Sequence, residues 1–157
     1  MPANLSGDIF TEATQGSYDL AVVFGHVGFN DMGSKWREFR RRYPTLANVR
    51  DPFTGFQAQP VLIDGEQWLW FVPEEQSHGM TDQRLIEVLE RILEWCKKKG
   101  VRSVITNGIS DVDHTGVTAH NRMSDDRRTG FLRDFLGQCE NDELRFTLIS
   151  LNDVFVR

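Results

Sequence analysis

A continuous apolar segment near the start of the chain most constrains the fold. It reads DLAVVFGHVGF over residues 19–29, which is too short for a membrane-spanning helix of about 20 apolar residues. A strand with one face in water alternates apolar and polar residues, whereas a strand buried on both faces is apolar throughout. The segment therefore predicts an interior strand of a sheet that is covered on both faces.

The segments after this strand alternate between helical and strand patterns, which is typical of an α/β protein. A helix is predicted to start near Ser34, because aromatic residues then recur at spacings of three and four, and Pro44 ends it. The sequence PVLIDGEQWLWFVP, residues 60–73, predicts a β-hairpin that turns at Asp64-Gly65. Trp68 and Trp70 would share one face of this hairpin and pack there.

A long amphipathic helix comes next. Thr81 is a suitable N-cap, the apolar residues that follow form one stripe at helical spacing, and Gly100 permits a left-handed stop. The sequence VRSVIT, residues 101–106, then predicts a second buried strand. The strand–helix–strand pattern predicts a right-handed crossover and parallel pairing of the two strands.

Three further elements complete the predicted architecture. A short opening strand is expected at Ile9-Phe10, a helix over residues 124–139 and a closing strand over residues 144–151. The simplest arrangement is a mixed central sheet flanked by helices. At 157 residues the chain has the length of one domain, and we expect a single domain over residues 1–157.

Composition limits the classes of function. The formal net charge of −5 argues against non-specific nucleic-acid binding by the whole surface, because phosphate contacts need a positive face. The basic residues Arg37 and Arg40 to Arg42 first indicate the solvated face of a helix. Cys96 and Cys139 lie in no metal or disulfide spacing, which favours a reducing compartment. We therefore expect a cytoplasmic monomer with no membrane segment, no metal and no cofactor.

Two glycine-bearing segments follow the predicted buried strands. They read FGHVGFNDMGS from residue 24 and TNGISDVDHTG from residue 106. Ligands of α/β sheets gather where strands end at their carboxyl edge, so the two segments are expected side by side. Backbone N–H groups in such loops hold phosphate groups. The sequence therefore predicts a site for a phosphate-containing ligand at this edge.

With the elements in this order, the chain resembles the macro domain family. It is most similar to the subgroup that includes the terminal ADP-ribose protein glycohydrolase. The motif SGDIF at residues 6–10, the segment with Met-Gly at 32–33, Ser77-His78 before the long helix and the NGISDVDHTG loop carry the resemblance. It implies a three-layer sandwich that binds ADP-ribose, either free or attached to a macromolecule.

The resemblance also implies a set of site residues. Asp8 would accept a hydrogen bond from the adenine amino group, with Ile9 beside it, and the two loops would hold the diphosphate and distal ribose. A carboxylate near a ribose carbon can activate water, so the second loop also contains candidate catalytic groups. The expected ligand-binding residues are Asp8, Ile9, Gly25, Asn30, Asp31, Gly33, Asn107, Gly108, Ile109 and Ser110, and the candidate catalytic residues are Asp111, Asp113 and His114.

Three classes of function stay open at this point. The lysine nucleophile of the resembling glycohydrolase has no counterpart, since the corresponding segment reads VPEEQSH. Binding of ADP-ribose or a related NAD-derived nucleotide is therefore preferred over an ADP-ribosyl hydrolase that uses Asp111 or Asp113. The third alternative is an interaction module with a filled pocket, which the shortage of glycines in the first loop favours. Each of these aspartates also suits an ordinary polar turn, and Asp8 suits a cap.

Overall fold

The protein is described by a computed structural model that places residues 2–15, 18–26, 34–48, 60–65, 67–74, 82–107 and 130–150. Six strands and four α-helices are found in these ranges, with one short 3₁₀ helix at Pro44–Asn48. The strands are β1 Ala3–Ser6, β2 Leu20–His26, β3 Val61–Asp64, β4 Gln67–Glu74, β5 Ser103–Asn107 and β6 Arg145–Ser150. The helices are α1 Ile9–Gln15, α2 Ser34–Arg42, α3 Asp82–Lys99 and α4 over residues 130–139.

All six strands form one mixed sheet in the order β1-β6-β5-β2-β4-β3. The neighbours β1/β6, β6/β5, β5/β2 and β2/β4 are parallel, and only β3 runs antiparallel, to β4. The described sheet is therefore a parallel sheet with one antiparallel strand at its edge. The predicted α/β class and mixed sheet are confirmed.

Each face of the sheet carries its own apolar core. On one face, here called the α1/α2 face, Ile9 and Phe39 pack with sheet residues such as Ile105. On the other, the α3/α4 face, Ile92 and Leu132 pack with residues of the same strands. Because successive residues of a strand point to opposite faces, the strands between these layers must be apolar throughout. The interior burial of β2 and β5 predicted from their sequences is confirmed: Leu20 to Val23 and Val104 to Asn107 are buried.

Several local predictions are also confirmed. The hairpin β3/β4 turns at Gly65, α2 ends before Pro44, and α3 ends at Lys99 before Gly100, whose φ is +70°. Trp68 and Trp70 pack together on the α3/α4 face, where both rings meet Trp95 edge-on at centroid distances of 5.2 and 5.7 Å. Thr81 lies outside the described residues.

The predicted opening strand at Ile9-Phe10 is wrong. Strand β1 lies earlier, at Ala3–Ser6, and Ile9 is the first residue of α1. Ile9 and Ala13 are four residues apart, which places both on one helical face, and both are buried. A two-residue apolar pair does not distinguish a strand from the start of a helix, and packing on the α1/α2 face decided between them.

The predicted direct pairing of the strands on either side of α3 is also wrong. Strands β4 and β5 are parallel, as expected, but β2 lies between them and pairs with both. Because β2 is apolar on both faces, a central position removes more of its surface from water than an edge position would. Within the described ranges, no helix is long and apolar enough to cross a membrane.

Asp19 joins three strands at their amino ends. Its carboxylate accepts hydrogen bonds from the backbone N–H groups of Arg102 at 2.8 Å and Ser103 at 3.4 Å, at the start of β5. Its backbone carbonyl accepts the N–H of Trp68 in β4 at 2.8 Å. The sequence signal for this role was weak, because aspartate before a strand is common in turns.

Replacing Asp19 with alanine should lower the free energy of unfolding by about 1–3 kcal/mol, because two backbone N–H groups lose a charged acceptor. Asp142→Ala is the matched control, since the Asp142 side chain is fully exposed and its ion pair with Arg145 spans 3.7 Å. Urea denaturation gives the free energy of unfolding of both variants. Equal stability of the two would contradict the role given to Asp19.

Candidate functional site

The parallel strands bring five chain segments to one edge of the sheet. The carboxyl ends of β1, β6, β5, β2 and β4 lie at this edge, because these strands all run in the same direction. The chain leaves β1 there through Gly7-Asp8, and it leaves β2 at His26 and β5 at Asn107. The two glycine-bearing segments were predicted to lie side by side. The ends of β2 and β5, from which they start, are neighbours in the sheet.

The connections from β2 and β5 go to opposite faces. The chain after β2 leads to α2, whose Phe39 packs on the α1/α2 face, while the chain after β5 leads to α4, whose Leu132 packs on the α3/α4 face. In open α/β sheets, the point where neighbouring connections diverge in this way is where ligands bind. The carboxyl ends of β2 and β5 thus mark the candidate site.

Strand β2 continues beyond the level at which β5 ends. The last register pair between them is Val22 with Thr106, so Asn107 is level with Val23. Beyond that level β2 continues through Phe24, Gly25 and His26 and remains paired with β4 as far as Glu74. The last three residues of β2, with Gly25 in the middle of them, therefore extend beyond the end of β5 at Asn107.

Asp8 lies at the same edge, between β1 and α1. Gly7 has a φ of +152°, a conformation that residues with a Cβ rarely adopt. The Asp8 carbonyl accepts the N–H of Glu12 at 3.1 Å, which is the first hydrogen bond of α1. Its carboxylate oxygen Oδ2 accepts the hydroxyl of Thr11 at 3.3 Å. Asp8 is therefore the N-cap of α1. The sequence allowed a capping role for Asp8, and the structure shows it, but the capped element is a helix and not a strand.

Capping does not exclude ligand binding by Asp8. An ionised carboxylate has two oxygens and about four acceptor sites, and Asp8 is only half-buried. Ile9 differs, because its side chain is 3% exposed and packs in the α1/α2 core. Contact between Ile9 and a ligand would therefore involve its backbone.

Asn107 is a buried polar residue at the end of β5. It is 3% exposed, its neighbour Thr106 is 2% exposed, and the Thr106 hydroxyl donates to the Asn107 carbonyl at 3.2 Å. Buried polar side chains are uncommon in a sheet interior, and these two lie where the strand reaches the candidate site. The ligand-binding role of Asn107 stays a prediction.

The structure places Asp8, Gly25 and Asn107 at the same edge of the sheet, with β6 and β5 lying between β1 and β2. The remaining predicted residues lie outside the described ranges, and their proposed roles stay predictions. They are Asn30, Asp31, Gly33, Gly108, Ile109, Ser110, Asp111, Asp113 and His114.

Thr11 was missed by the sequence reasoning. Its hydroxyl contacts the Asp8 carboxylate, and the spacing of three residues between a capping aspartate and a threonine was the available signal. The Arg40 to Arg42 side chains are exposed, as a solvated helix face requires. Across the described ranges, no cluster of three His, Cys, Asp or Glu residues could hold a metal ion.

Comparisons with known proteins bear on the fold alone. No protein-family model matches the chain, and no curated protein matches it in sequence. Among solved structures, a K354E mutant of tomato leucine aminopeptidase is similar, with a TM-score of 0.57 and 12% sequence identity. The similarity covers 96% of this chain and 33% of the aminopeptidase chain. This chain thus spans about a third of that enzyme, and it shares a fold with it over nearly its whole length.

Proposed function

We propose that this protein binds ADP-ribose or a related NAD-derived nucleotide at the carboxyl edge of its sheet, as a macro-domain-like protein would. The observation that supports this most directly is the position of Asp8. It follows Gly7 at the carboxyl end of β1, at the same edge as the diverging connections from β2 and β5. The mixed sheet with helices on both faces also agrees with the architecture that the resemblance implies.

The chemistry of this edge suits a purine nucleotide with a diphosphate. A carboxylate accepts a hydrogen bond from the exocyclic amine of adenine but is repelled by the carbonyl that guanine carries at the equivalent position. The two glycine-bearing segments that start at the ends of β2 and β5 would offer backbone N–H groups to phosphate oxygens. Asp8 would thus select the base, and the loops would hold the diphosphate.

Titration of the protein with ADP-ribose by calorimetry tests the proposal. We expect saturable binding, and we expect Asp8→Ala to weaken it about tenfold, because a hydrogen bond to a charged group contributes roughly 1.5 kcal/mol. Asp142→Ala is the matched control. This variant also loses one aspartate, but Asp142 precedes β6 and so lies at the opposite, amino edge of the sheet. The affinity of Asp142→Ala for ADP-ribose should equal that of the wild type.

Two results would contradict the proposal. No heat of binding at high micromolar protein would exclude the nucleotide site and favour a filled pocket. Equal affinity of wild type and Asp8→Ala would remove Asp8 from the site. Chromatography of the titrated sample, with an ADP-ribosylated peptide as a second ligand, separates binding from turnover; a released product would favour the hydrolase alternative.

A further inference from the structure

We propose that Thr11 positions the carboxylate of Asp8 and thereby sets how strongly the site prefers adenine over hypoxanthine. This inference rests on the proposed function. Thr11 lies in the first turn of α1, and its hydroxyl donates to Asp8 Oδ2 at 3.3 Å. Thr11 does not touch the base in this account, so it is a positioning residue.

The backbone of Asp8 is held on both sides. Gly7 turns the chain out of β1 with its φ of +152°, and the Asp8 carbonyl is bound to the N–H of Glu12 at 3.1 Å. With the backbone held, the direction of the carboxylate depends on its two side-chain torsions. The Thr11 hydroxyl, one helical turn away, is one of the contacts that restrict them. At 3.3 Å the bond is long, so we expect an effect on selectivity more than on stability.

Orientation matters because adenine and hypoxanthine differ at one position. Adenine presents an amine that donates to a carboxylate, whereas hypoxanthine presents a carbonyl oxygen that the carboxylate repels. A carboxylate held toward the base therefore strengthens binding of the adenine ligand and weakens binding of the hypoxanthine ligand. Without the Thr11 hydroxyl the carboxylate turns away from the carbonyl more readily, so the penalty for the hypoxanthine ligand falls and the preference is reduced.

The test compares ADP-ribose with its hypoxanthine analogue, inosine diphosphate ribose, by calorimetry. We expect Thr11→Val, which keeps the branched shape but removes the hydroxyl, to lower the ratio of the two affinities about threefold. This is the effect expected for the loss of one weak hydrogen bond. Thr11→Ser keeps a hydroxyl donor and should restore the wild-type ratio.

Thr14→Val is the matched control on the same helix. The Thr14 hydroxyl donates to backbone carbonyls, those of Phe10 at 2.9 Å and Thr11 at 3.1 Å. Its removal therefore perturbs α1 without touching the Asp8 carboxylate. A merely structural role of Thr11 would lower both affinities together in both valine variants and leave their ratio unchanged.

The outcomes distinguish this inference from the proposed function. If the wild type binds ADP-ribose but Thr11→Val keeps the wild-type ratio, the role of Thr11 is overturned and the nucleotide site stands. An equal loss of selectivity in Thr14→Val would overturn it too, because the effect would then come from the helix. If the wild type binds neither ligand, the proposed function and the inference both fail.

Discussion

Replacing Phe39 with alanine should lower the free energy of unfolding by about 3–5 kcal/mol, the range for removing a buried aromatic side chain. Phe39 is 0% exposed in the α1/α2 core. Its ring meets Phe10 edge-on at a centroid distance of 5.1 Å and stacks on Tyr43 at 6.4 Å. The expected loss therefore combines a cavity with two lost aromatic contacts.

Phe39 also contacts the helix next to the candidate site, α1. Phe10 belongs to α1, whose N-cap is Asp8, so the Phe10–Phe39 contact joins α2 to the helix that follows the proposed base-recognising residue. A small domain has a stability of only about 5–15 kcal/mol, and Phe39→Ala could leave little folded protein. Phe39→Leu should lower the free energy of unfolding by only about 1–2 kcal/mol, so it leaves enough folded protein for the measurement.

Urea denaturation followed by circular dichroism measures these losses. Arg41→Ala is the control on the same helix, because Arg41 is exposed and its removal should change stability by less than about 0.5 kcal/mol. A loss below about 1 kcal/mol in Phe39→Ala would show that the α1/α2 core repacks without this ring.

The thiol of Cys96 should react with iodoacetamide at least about 10³-fold more slowly in the folded than in the unfolded protein at pH 8, because the thiolate is the nucleophile. The pKa of Cys96 is raised from 9.0 to about 12, mainly by burial and to a smaller extent by the nearby Asp19 carboxylate. Cys96 is 1% exposed in the α3/α4 core. Peptide mass spectrometry after timed labelling gives the rate.

Cys139 is the internal comparison. It is only half-buried, and burial raises the pKa of its thiol. We therefore expect Cys139 to be labelled before Cys96 in the folded protein. Labelling of both at the same rate would contradict the burial of Cys96. The result bears on function, since a protonated, enclosed thiol does not serve as a catalytic nucleophile.

The same shift predicts how stability depends on pH. Because the folded pKa of Cys96 lies above the unfolded value, the unfolded chain releases this proton first as the pH rises. The contribution of Cys96 to the free energy of unfolding is therefore fully present below pH 9 and is lost between about pH 9 and 12. Cys96→Ala should show a shallower loss of stability over this range than the wild type or Cys139→Ala.

Local patterns predicted several elements within a few residues. The Asp-Gly turn predicted the β3/β4 hairpin, the apolar stripe predicted α3, and the uninterrupted apolar runs predicted β2 and β5 as strands buried on both faces. Each depends on residues that are close in the chain, because the periods of helices and strands are local properties. The Gly7-Asp8 pair is also a local feature of the sequence, and it marked Asp8 as a candidate ligand-binding residue.

What the sequence by itself determined is thus the α/β class, the hairpin, the long helix and the buried character of β2 and β5. Only the tertiary structure decided that Ile9 begins a helix, that β2 separates β4 from β5, and that Asp8 reaches the edge where β2 and β5 end. The physical reason is that strand order and the choice of packing face depend on burial between residues far apart in the chain, which no local pattern encodes.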